Sequence, residues 1–583
     1  MSSYPPVEDS KAFDEHHPQN STHIGDHERG LFHANSHAFD GEKNLGLDSH
    51  GHVITDAEAP RALRRDLQGR HMQMIAVGGA IGAGLFVGSG SALAQGGPAS
   101  VFLGFTIVGI LLVFVMQAMA ELAVMYPVNG AFFTYSVRFI DPAWGFAVGW
   151  EYAVDWLTVL PFEVITATIT LQFWKATRDI NIAAWVTIFL FILIVIQFFG
   201  VRGYGEVEFV LAVIKIIAVV GFIILAIIID CGGVGHQGYL GAKYWYGPPG
   251  GATAFRGGFN GFCAVFSTAS FAYGGTELTG LAAAEAADPL KSVPRACKQV
   301  IWRIAVFYIL SLLLVGFIVP SNSPYLLESG SNNPKYSPFV RSIVQAGIPV
   351  LPSIFNVVIL LSVISVANSC TFGSTRTMQA LAACGMGPKW LSYVDKKGRP
   401  IWCVLIQIAF GFLAYVGEAP GASTQLFEWL LALSGVADFF IWGSVCWAHI
   451  RFRSAWKYNG RTLDEIPYKA QYGVWGSYVG CFLSFVCLLA SLYEAVIAGQ
   501  GMGAATQAEF FFRAWLSGPL LVLLYLGWKI YSGNWFPLLV PISEIDITSG
   551  MRLDLEELRQ AALENKVAKT WKNLPMRAAR NLF

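Results

Sequence analysis

The chain has 583 residues, of which 54% are hydrophobic and 13% are charged, and its formal net charge is zero. A soluble protein of this length would need several domains with charged surfaces, whereas this chain keeps charge out of long stretches. The composition therefore excludes a soluble globular fold and indicates a polytopic membrane protein. The balanced charge gives no indication of nucleic-acid binding, and the nine cysteines form neither a disulfide framework nor a Cys-x-x-Cys metal motif.

Residues 1–65 are polar and lack a periodic apolar pattern, which predicts a disordered cytosolic tail. The tail is rich in histidine, so metal binding is an alternative, but the polar composition favours disorder. Residues 536–583 are predicted to form a second cytosolic tail, in which 551–562 has the apolar spacing of a short amphipathic helix.

Uncharged runs between the tails, within 66–535, predict twelve transmembrane helices. Their expected positions are 72–95, 99–124, 143–173, 182–200, 208–229, 259–281, 300–319, 350–375, 401–416, 426–449, 478–498 and 513–531. Lys and Arg are more frequent in the loops that lie inside if the N-terminus is cytosolic, for example in 389–399, which places both termini in the cytosol. The predicted class is an all-α polytopic membrane protein without cofactor or metal.

The first predicted span opens a stretch, 71–120, that contains no Asp, Glu, Lys or Arg but many glycines. Each interior glycine weakens a helix by up to about 1 kcal/mol relative to alanine. Unwound backbone inside a bilayer is tolerated only within a helix bundle or along a wet cavity. The segment Gly82–Gly84 is therefore predicted to be a break whose free amides face a ligand. Close packing of small residues against another helix is the alternative.

The sixth predicted span has a similar interruption, where Gly274 and Gly275 stand beside Glu277. Interrupted spans at corresponding positions of two halves indicate the binding site of a transporter. Spans 1 and 6 are five apart in the chain. The spacing predicts inverted five-helix repeats over about 72–229 and 259–449, with helices 1 and 6 discontinuous.

Exposed helix ends at the two breaks predict a site for a zwitterionic α-amino acid. Free amides at a half-helix N-terminus suit a carboxylate, and freed carbonyls suit a protonated amine. The amides follow Ile81 and belong to Gly82, Ala83 and Gly84. The carbonyls lie around Phe271, Ala272 and Gly274. Phe271 and Tyr273, with residues of spans 3, 8 and 10, are expected to select the substrate side chain.

Ionisable residues inside predicted spans are functional candidates because burying each costs about 2.5–3.5 kcal/mol or more. They are Glu151, Asp155, Glu163, Lys215, Glu277 and Asp438. Lys215 is expected six residues from the cytoplasmic end of span 5. Its protonated ammonium would bond span 1 carbonyls and span 8 hydroxyls near Ser369 and Thr371, so that it carries the coupled proton; snorkelling to the inner surface is the alternative. For Glu163 and Glu277 the alternative is a structural hydrogen bond to freed backbone.

Three motifs together resemble signatures of fungal amino-acid permeases of the general amino-acid permease type, in the amino acid–polyamine–organocation superfamily. They are 70–86, 271–278 and 285–295, and the resemblance extends over about 60–570. It implies a five-plus-five core with two additional helices, a plasma-membrane location and proton-coupled uptake of L-α-amino acids with broad specificity. The implied partners are the amino acid, the proton, membrane lipids, and ubiquitin-ligase and trafficking machinery on the cytosolic tails.

Carried over by position, the resemblance implies that Gly82 and Gly84 hold the substrate carboxylate and that Phe271 gates or lines the pocket. It also implies that Glu163 and Ser434 affect selectivity and that Lys215 is the span 5 lysine of proton-coupled relatives. Together with Glu277 and Ser369, Lys215 forms the expected proton-coupling set. The chain departs from the family pattern at Asp155 and Asp438, where the added acids would favour cationic substrates.

Other functions fit the sequence less well. An amino-acid sensor that signals through its tails is compatible with transport. An enzyme is not expected, because no metal cluster, nucleotide loop or nucleophile–base pair is present in the sequence. Narrower substrates remain alternatives, namely basic amino acids, proline, or an amine such as GABA or choline. An amine without a carboxylate would leave the amides of Gly82–Gly84 unmatched.

Overall fold

The computed structural model describes residues 67–234, 238–247, 253–286, 288–327, 337–419, 422–497, 500, 503–551, 557 and 560. The predicted N-terminal tail lies outside the described residues. So does the predicted amphipathic helix at 551–562, apart from three isolated positions.

Helices make up nearly all regular structure in the described ranges, and they are named here in chain order. The α-helices are α1 Gly69–Gly78, α2 Ser89–Met125, α3 Ala131–Phe139, α4 Pro142–Leu171, α5 Lys175–Arg178, α6 Ile182–Gln197, α7 Gly200–Asp230, α8 Gly258–Tyr273, α9 Leu278–Leu281, α10 Pro289–Trp302, α11 Ser311–Ile318, α12 Pro324–Leu327, α13 Pro338–Gln345, α14 Leu351–Ala383, α15 Ile401–Gly411, α16 Ala422–Tyr458, α17 Gly473–Ile497, α18 Ala504–Trp515 and α19 Ser517–Ser532. Two segments are π-helical, Gly84–Gly88 and Arg303–Leu310. Short 3₁₀ turns are Lys243–Trp245, Ala282–Glu285, Lys389–Ser392, Phe412–Glu418, Leu463–Glu465 and Ile542–Glu544.

Eight helical segments in the described ranges are long and apolar enough to cross a membrane. The helices Thr506–Trp515 and Ser517–Ser532 meet at 73° and make a ninth if the bent pair is one span. These observations confirm an all-helical, multi-pass membrane protein. The count of twelve spans stays a prediction. Helix α6 is shorter than a full span, and each half of a broken helix is too short to be counted as a span by length.

The helical stretch Gly84–Met125 contains the second half of predicted span 1 and all of predicted span 2. The chain turns inside it at Gly97, whose φ of 80° favours glycine. Pro98 follows and has no N–H to continue the helix. The segment after predicted span 5 closes this turn, since the Arg256 amide donates to the Gly96 carbonyl at 2.9 Å. The predicted boundary between 95 and 99 thus coincides with this turn.

The helix that contains predicted span 5 is longer than the predicted span, because α7 begins at Gly200 rather than at 208. Lys215 lies fifteen residues, or about 22 Å, from the start of this helix. The Lys215 side chain is fully buried in the protein. Snorkelling to the inner surface does not fit this position.

The core of the protein lies around α4, which packs against α14 and α16 and, near its start, against α19. The start of α4 is fixed by the Asp141 side chain, which accepts from the Trp144 amide at 3.1 Å and lies 3.1 Å from Lys529 Nζ of α19. Because α4 is surrounded, its acidic side chains face the interior of the protein rather than lipid. This arrangement positions the functional site.

Candidate functional site

The first break lies between α1 and the π-helical segment. The Gly79 amide still donates to the Ile75 carbonyl at 3.0 Å, and residues 80–82 are not helical. The helix resumes with the bond from the Phe86 amide to the Gly82 carbonyl at 3.2 Å. The predicted break at Gly82–Gly84 was therefore placed about three residues too late. Ala83 and Gly84 nevertheless stand in the first turn of the second half, where amides have no acceptor within their own helix.

The second break follows α8 at Gly274 and Gly275, as the sequence predicts. Gly275 has φ 89°, a conformation that side chains disfavour. The Glu277 carboxylate accepts from the Gly275 amide at 3.0 Å and from the Tyr152 hydroxyl at 3.2 Å. The Trp442 indole N–H lies 3.4 Å from its other oxygen. Glu277 thus caps the freed backbone, as the structural alternative for this residue expects.

Side chains of the π-helical segment Arg303–Leu310 join the two breaks. The Tyr308 hydroxyl lies 2.9 Å from the Ala80 carbonyl oxygen of the first break and 2.8 Å from the Ala272 carbonyl oxygen of the second. Arg303 donates to the Ala76 carbonyl at 2.7 Å and also contacts the Thr276 hydroxyl. The Ala272 carbonyl, expected to bind a substrate amine, therefore shares the single hydroxyl proton of Tyr308 with the Ala80 carbonyl. Sequence reasoning missed both residues.

A cavity opens between the two breaks, α4, α14 and α16. Its lining residues are Ala80, Gly82, Gly84, Asp155, Trp156, Val159, Glu163, Phe271, Gly274, Val366, Ser434 and Asp438. Six members of the predicted substrate site are among them: Gly82, Gly84, Glu163, Phe271, Gly274 and Ser434. The sequence analysis did not identify Ala80, Trp156, Val159 or Val366, because apolar lining residues look like ordinary core residues in a membrane span.

Four predicted site residues do not line the cavity: Ile81, Ala83, Ala272 and Tyr273. Tyr273 was expected to select the substrate side chain. Its hydroxyl instead donates to the Phe105 carbonyl at 3.0 Å, and its ring stacks on Tyr308 at 4.5 Å between centroids. The assignment of Tyr273 to the pocket wall is therefore wrong, because the ring fills the space between helices behind the break.

The glycines of the first break are also required by close packing. A Cβ on Gly82 would lie 2.4 Å from Val366 Cγ2, and one on Gly84 would lie 2.5 Å from Ala272 Cα. Both distances are far below van der Waals contact. Gly82 and Gly84 therefore fulfil both predictions: they allow close packing, and this close packing brings the two breaks to one cavity.

Glu163 lies where the first break meets α4. Its buried carboxylate accepts from the Ala83 amide, while Oε2 has no hydrogen-bond partner among the described residues. Glu163 therefore occupies one of the amides expected to bind a substrate carboxylate. It also interacts through its charge with Lys215.

Lys215 lies in a buried polar cluster between α7 and α14. Its Nζ donates to the Ser365 hydroxyl at 2.7 Å and is 3.7 Å from Glu208 Oε1, and Ser365 in turn donates to Glu208. The contact with a hydroxyl of predicted span 8 is confirmed, but the hydroxyl is that of Ser365, one turn before Ser369. Ser369 faces the Tyr204 hydroxyl at 3.3 Å, and the Thr371 hydroxyl donates to the Ala367 carbonyl at 3.2 Å. The sequence analysis missed Glu208 because predicted span 5 begins at this residue. Its position seven residues before Lys215, about two helical turns, is the signal that could have identified it.

A bundle of apolar helices that contains two interrupted helices, with acidic side chains among the lining of the cavity between them, defines the class of the protein as a membrane transporter. The sequence model of the family described as "Amino acid permease" matches residues 71–540. The chain belongs to the amino acid permease family.

Relatives are found among fungal permeases. The chain is 49% identical to an uncharacterised amino-acid permease of Schizosaccharomyces pombe, over 86% of this chain and 84% of that protein. It is 47% identical to a general amino-acid permease of Saccharomyces cerevisiae, over 88% and 84% respectively. It is 46% identical to a cationic amino acid transporter of S. pombe, over 87% and 86%. A solved manganese transporter of Eremococcus coleocola matches with a TM-score of 0.48 and 15% identity, covering 79% of this chain and 94% of that one.

These comparisons confirm the resemblance to fungal amino-acid permeases of the general type. They also confirm that the chain belongs to a family of amino-acid transporters and not to an enzyme family, because the family and these relatives are permeases.

Proposed function

We propose that this protein takes up L-α-amino acids of several kinds across the plasma membrane together with protons. It would do so by alternating access in a twelve-helix core of two inverted five-helix repeats plus two helices, with both termini cytosolic. The observation that carries the proposal is that the interruptions in predicted spans 1 and 6 border one cavity. Family membership supports an amino-acid substrate.

The substrate carboxylate binds at the first turn after the first break. The amides of Ala83 and Gly84 are there, and a helix N-terminus favours a negative charge. The amine lies toward the C-terminal end of α8, where the carbonyl groups of the last turn carry partial negative charge and Gly274 borders the cavity. The two ends of a zwitterion are thereby matched at a fixed separation.

Glu163 connects the substrate to the proton. Because it shares the Ala83 amide, a bound substrate carboxylate competes with it for that donor. Displacing the Glu163 carboxylate changes the field at Lys215, with which it interacts. Binding of an amino acid and the protonation state of the Lys215 cluster are therefore linked, and linkage of this kind is reciprocal.

The proton site is the cluster of Lys215, Glu208 and Ser365. Its two ionisable side chains are completely buried, and a change in their charge biases the packing of α7 against α14. A membrane potential contributes about 2.3 kcal/mol per charge per 100 mV to such a step. This supplies the driving force for uphill uptake.

The proposal is tested by reconstituting the purified protein in liposomes and following labelled leucine and arginine. An inwardly directed proton gradient should drive accumulation above the outside concentration, and collapsing the gradient with a protonophore should abolish it. A sodium gradient without a proton gradient should not replace it. Accumulation driven equally well by sodium would contradict proton coupling, and no saturable uptake of any amino acid would contradict the function itself.

A further inference from the structure

Two cysteines on neighbouring helices face each other, and neither has a part in the proposed transport mechanism. Cys446 lies on α16 and Cys481 lies on α17, and both are free thiols. Cys446 is completely buried, whereas Cys481 is partly exposed. The two thiols hydrogen-bond to each other. Their sulfur atoms are therefore in direct contact across the interface between the helices.

The contact exists because glycines let α16 and α17 approach closely. A Cβ on Gly480 would lie 2.5 Å from Cys446 Sγ and 3.6 Å from Cys446 Cβ. A Cβ on Gly443 of the other helix would lie 3.3 Å from Ser484 Cβ. Small residues at a helix contact permit such packing in membranes. The Cβ atoms of a disulfide are about 3.5–4.5 Å apart, so the two backbones are close enough at this crossing for a disulfide to join them.

The Cys481 side chain points toward the same part of α16. Cys481 follows Gly480 directly in the chain, and its Sγ lies 3.7 Å from the Gly443 carbonyl oxygen. Gly443 and Cys446 are three residues apart and lie on one face of α16. A rotation of the two side chains is thus enough to bring the sulfur atoms to bonding distance, without movement of either helix.

Oxidation of this pair needs an oxidant, and a hydroperoxide such as hydrogen peroxide supplies it. The Cys481 sulfur, which is the more exposed, attacks the O–O bond to give a sulfenic acid and one water molecule. The Cys446 sulfur then attacks the sulfenic sulfur, the S–S bond forms, and the second water molecule leaves. The two thiols lose two electrons, and one hydrogen peroxide is reduced to two water molecules that carry both thiol protons.

A bond at this position would restrict a helix that lines the substrate cavity. Ser434 and Asp438 of α16 border the cavity, and Cys446 is eight residues, or about 12 Å, further along the same helix than Asp438. In alternating access, one group of helices moves against another around the substrate site. A covalent link from α16 to α17 removes part of this freedom.

We propose that Cys446 and Cys481 form a reversible disulfide when the protein meets a hydroperoxide, and that this bond slows transport by fixing α16 to α17. Disulfides in cytosolic compartments are usually transient and often sense redox state, and this pair fits that use. The disulfide site is independent of the proposed function, whereas its effect on uptake rests on that function.

Mass spectrometry tests the bond itself. The purified full-length protein is treated with hydrogen peroxide, its remaining thiols are alkylated, and it is digested without reduction. A pair of peptides joined through Cys446 and Cys481 should appear, lighter by two hydrogen atoms than the two reduced peptides together, and dithiothreitol should separate it. The absence of this linked pair, or oxidation of Cys481 to sulfinic or sulfonic acid alone, would overturn the proposal.

Uptake of labelled leucine into liposomes tests the effect of the bond. Peroxide should lower the uptake by the same fraction as the fraction of protein that is linked, and dithiothreitol should restore it. Cys481→Ala should keep its uptake under peroxide. Cys487→Ala, the same change at a buried cysteine of the same helix, is the matched control and should stay sensitive.

The possible outcomes separate the two parts of the proposal. Unchanged uptake by linked protein, or equal inhibition of Cys481→Ala, would overturn the effect on transport. If Cys481→Ala does not fold, the match between linked fraction and lost uptake in the unmodified protein decides. Absence of all amino-acid uptake before peroxide treatment would refute the proposed function, and the disulfide would then stand or fall on the linked peptides.

Discussion

Gly84 and Ala272 bring the two interrupted helices into backbone contact: a Cβ on Gly84 would lie 2.5 Å from Ala272 Cα. The contact joins the second half of one broken helix to the last turn of the other. The two helices can approach this closely only because Gly84 has no side chain. If they were further apart, the two breaks would no longer border one cavity.

Replacing Gly84 with alanine tests this contact. Because the new methyl group meets backbone rather than a flexible side chain, we expect a loss of about 1–3 kcal/mol in stability from overpacking. We also expect lower leucine uptake per folded protein, because the two breaks are pushed apart. Gly221→Ala on α7 is the matched control, as a Cβ there has nothing within 4 Å. Leucine uptake per folded protein should be reduced in Gly84→Ala and unchanged in Gly221→Ala. Equal uptake by both would show that the close approach is not required.

The Tyr308 hydroxyl is predicted to hold the two breaks together. Tyr308→Phe retains the ring that stacks on Tyr273 but removes the single hydroxyl proton that the Ala80 and Ala272 carbonyls share. We expect a loss of about 1–3 kcal/mol in stability, seen as a lower melting temperature of the purified protein in detergent, together with slower uptake. Tyr531→Phe, at a ring that is largely exposed, should change neither. A Tyr308→Phe protein with unaltered melting temperature and uptake would rule out this role.

Removing the charge of Lys215 should uncouple transport from the proton gradient. Lys215→Met alone leaves Glu208 buried without its cation, at a cost of about 3–5 kcal/mol, so the informative variant is Lys215→Met combined with Glu208→Gln. The double variant keeps the cluster neutral and should fold. We expect it to equilibrate labelled leucine across the liposome membrane without accumulating it. Lys291→Met, at an exposed lysine that pairs with Asp288, serves as control.

The accumulation ratio decides the role of the Lys215 cluster. A ratio in the double variant equal to that of the unmodified protein would assign proton coupling elsewhere. A variant without any uptake, but with an intact melting transition, would show that the cluster is needed for the conformational change itself.

The site could be predicted in large part because its signals are local in the chain. The paired glycines at 274 and 275 identify the second break, and the glycine-rich run identifies the first, although its position was wrong by about three residues. Acids within apolar spans, such as Glu163 and Asp438, stand out because burial makes them rare.

The rest depends on contacts between distant helices. The role of Tyr308 could not be predicted, because a tyrosine in an apolar span is ordinary until the carbonyls that it reaches are known. Tyr273 was misassigned for a related reason, since adjacent residues at a helix end point in different directions and the sequence does not say which one faces the cavity. The Lys215 partner was placed one turn too late on α14, because the register between two helices is set by packing that spacing alone does not determine.

The central claim is that the amides after the first break bind the substrate carboxylate, and a comparison of leucine with 3-methylbutylamine tests it most directly. The amine is leucine without its carboxylate, so both have the same side chain and the same positive charge. In liposomes with a proton gradient, unlabelled leucine should inhibit labelled leucine uptake, whereas 3-methylbutylamine in large excess should not. Inhibition by the amine as strong as that by leucine would contradict the claim.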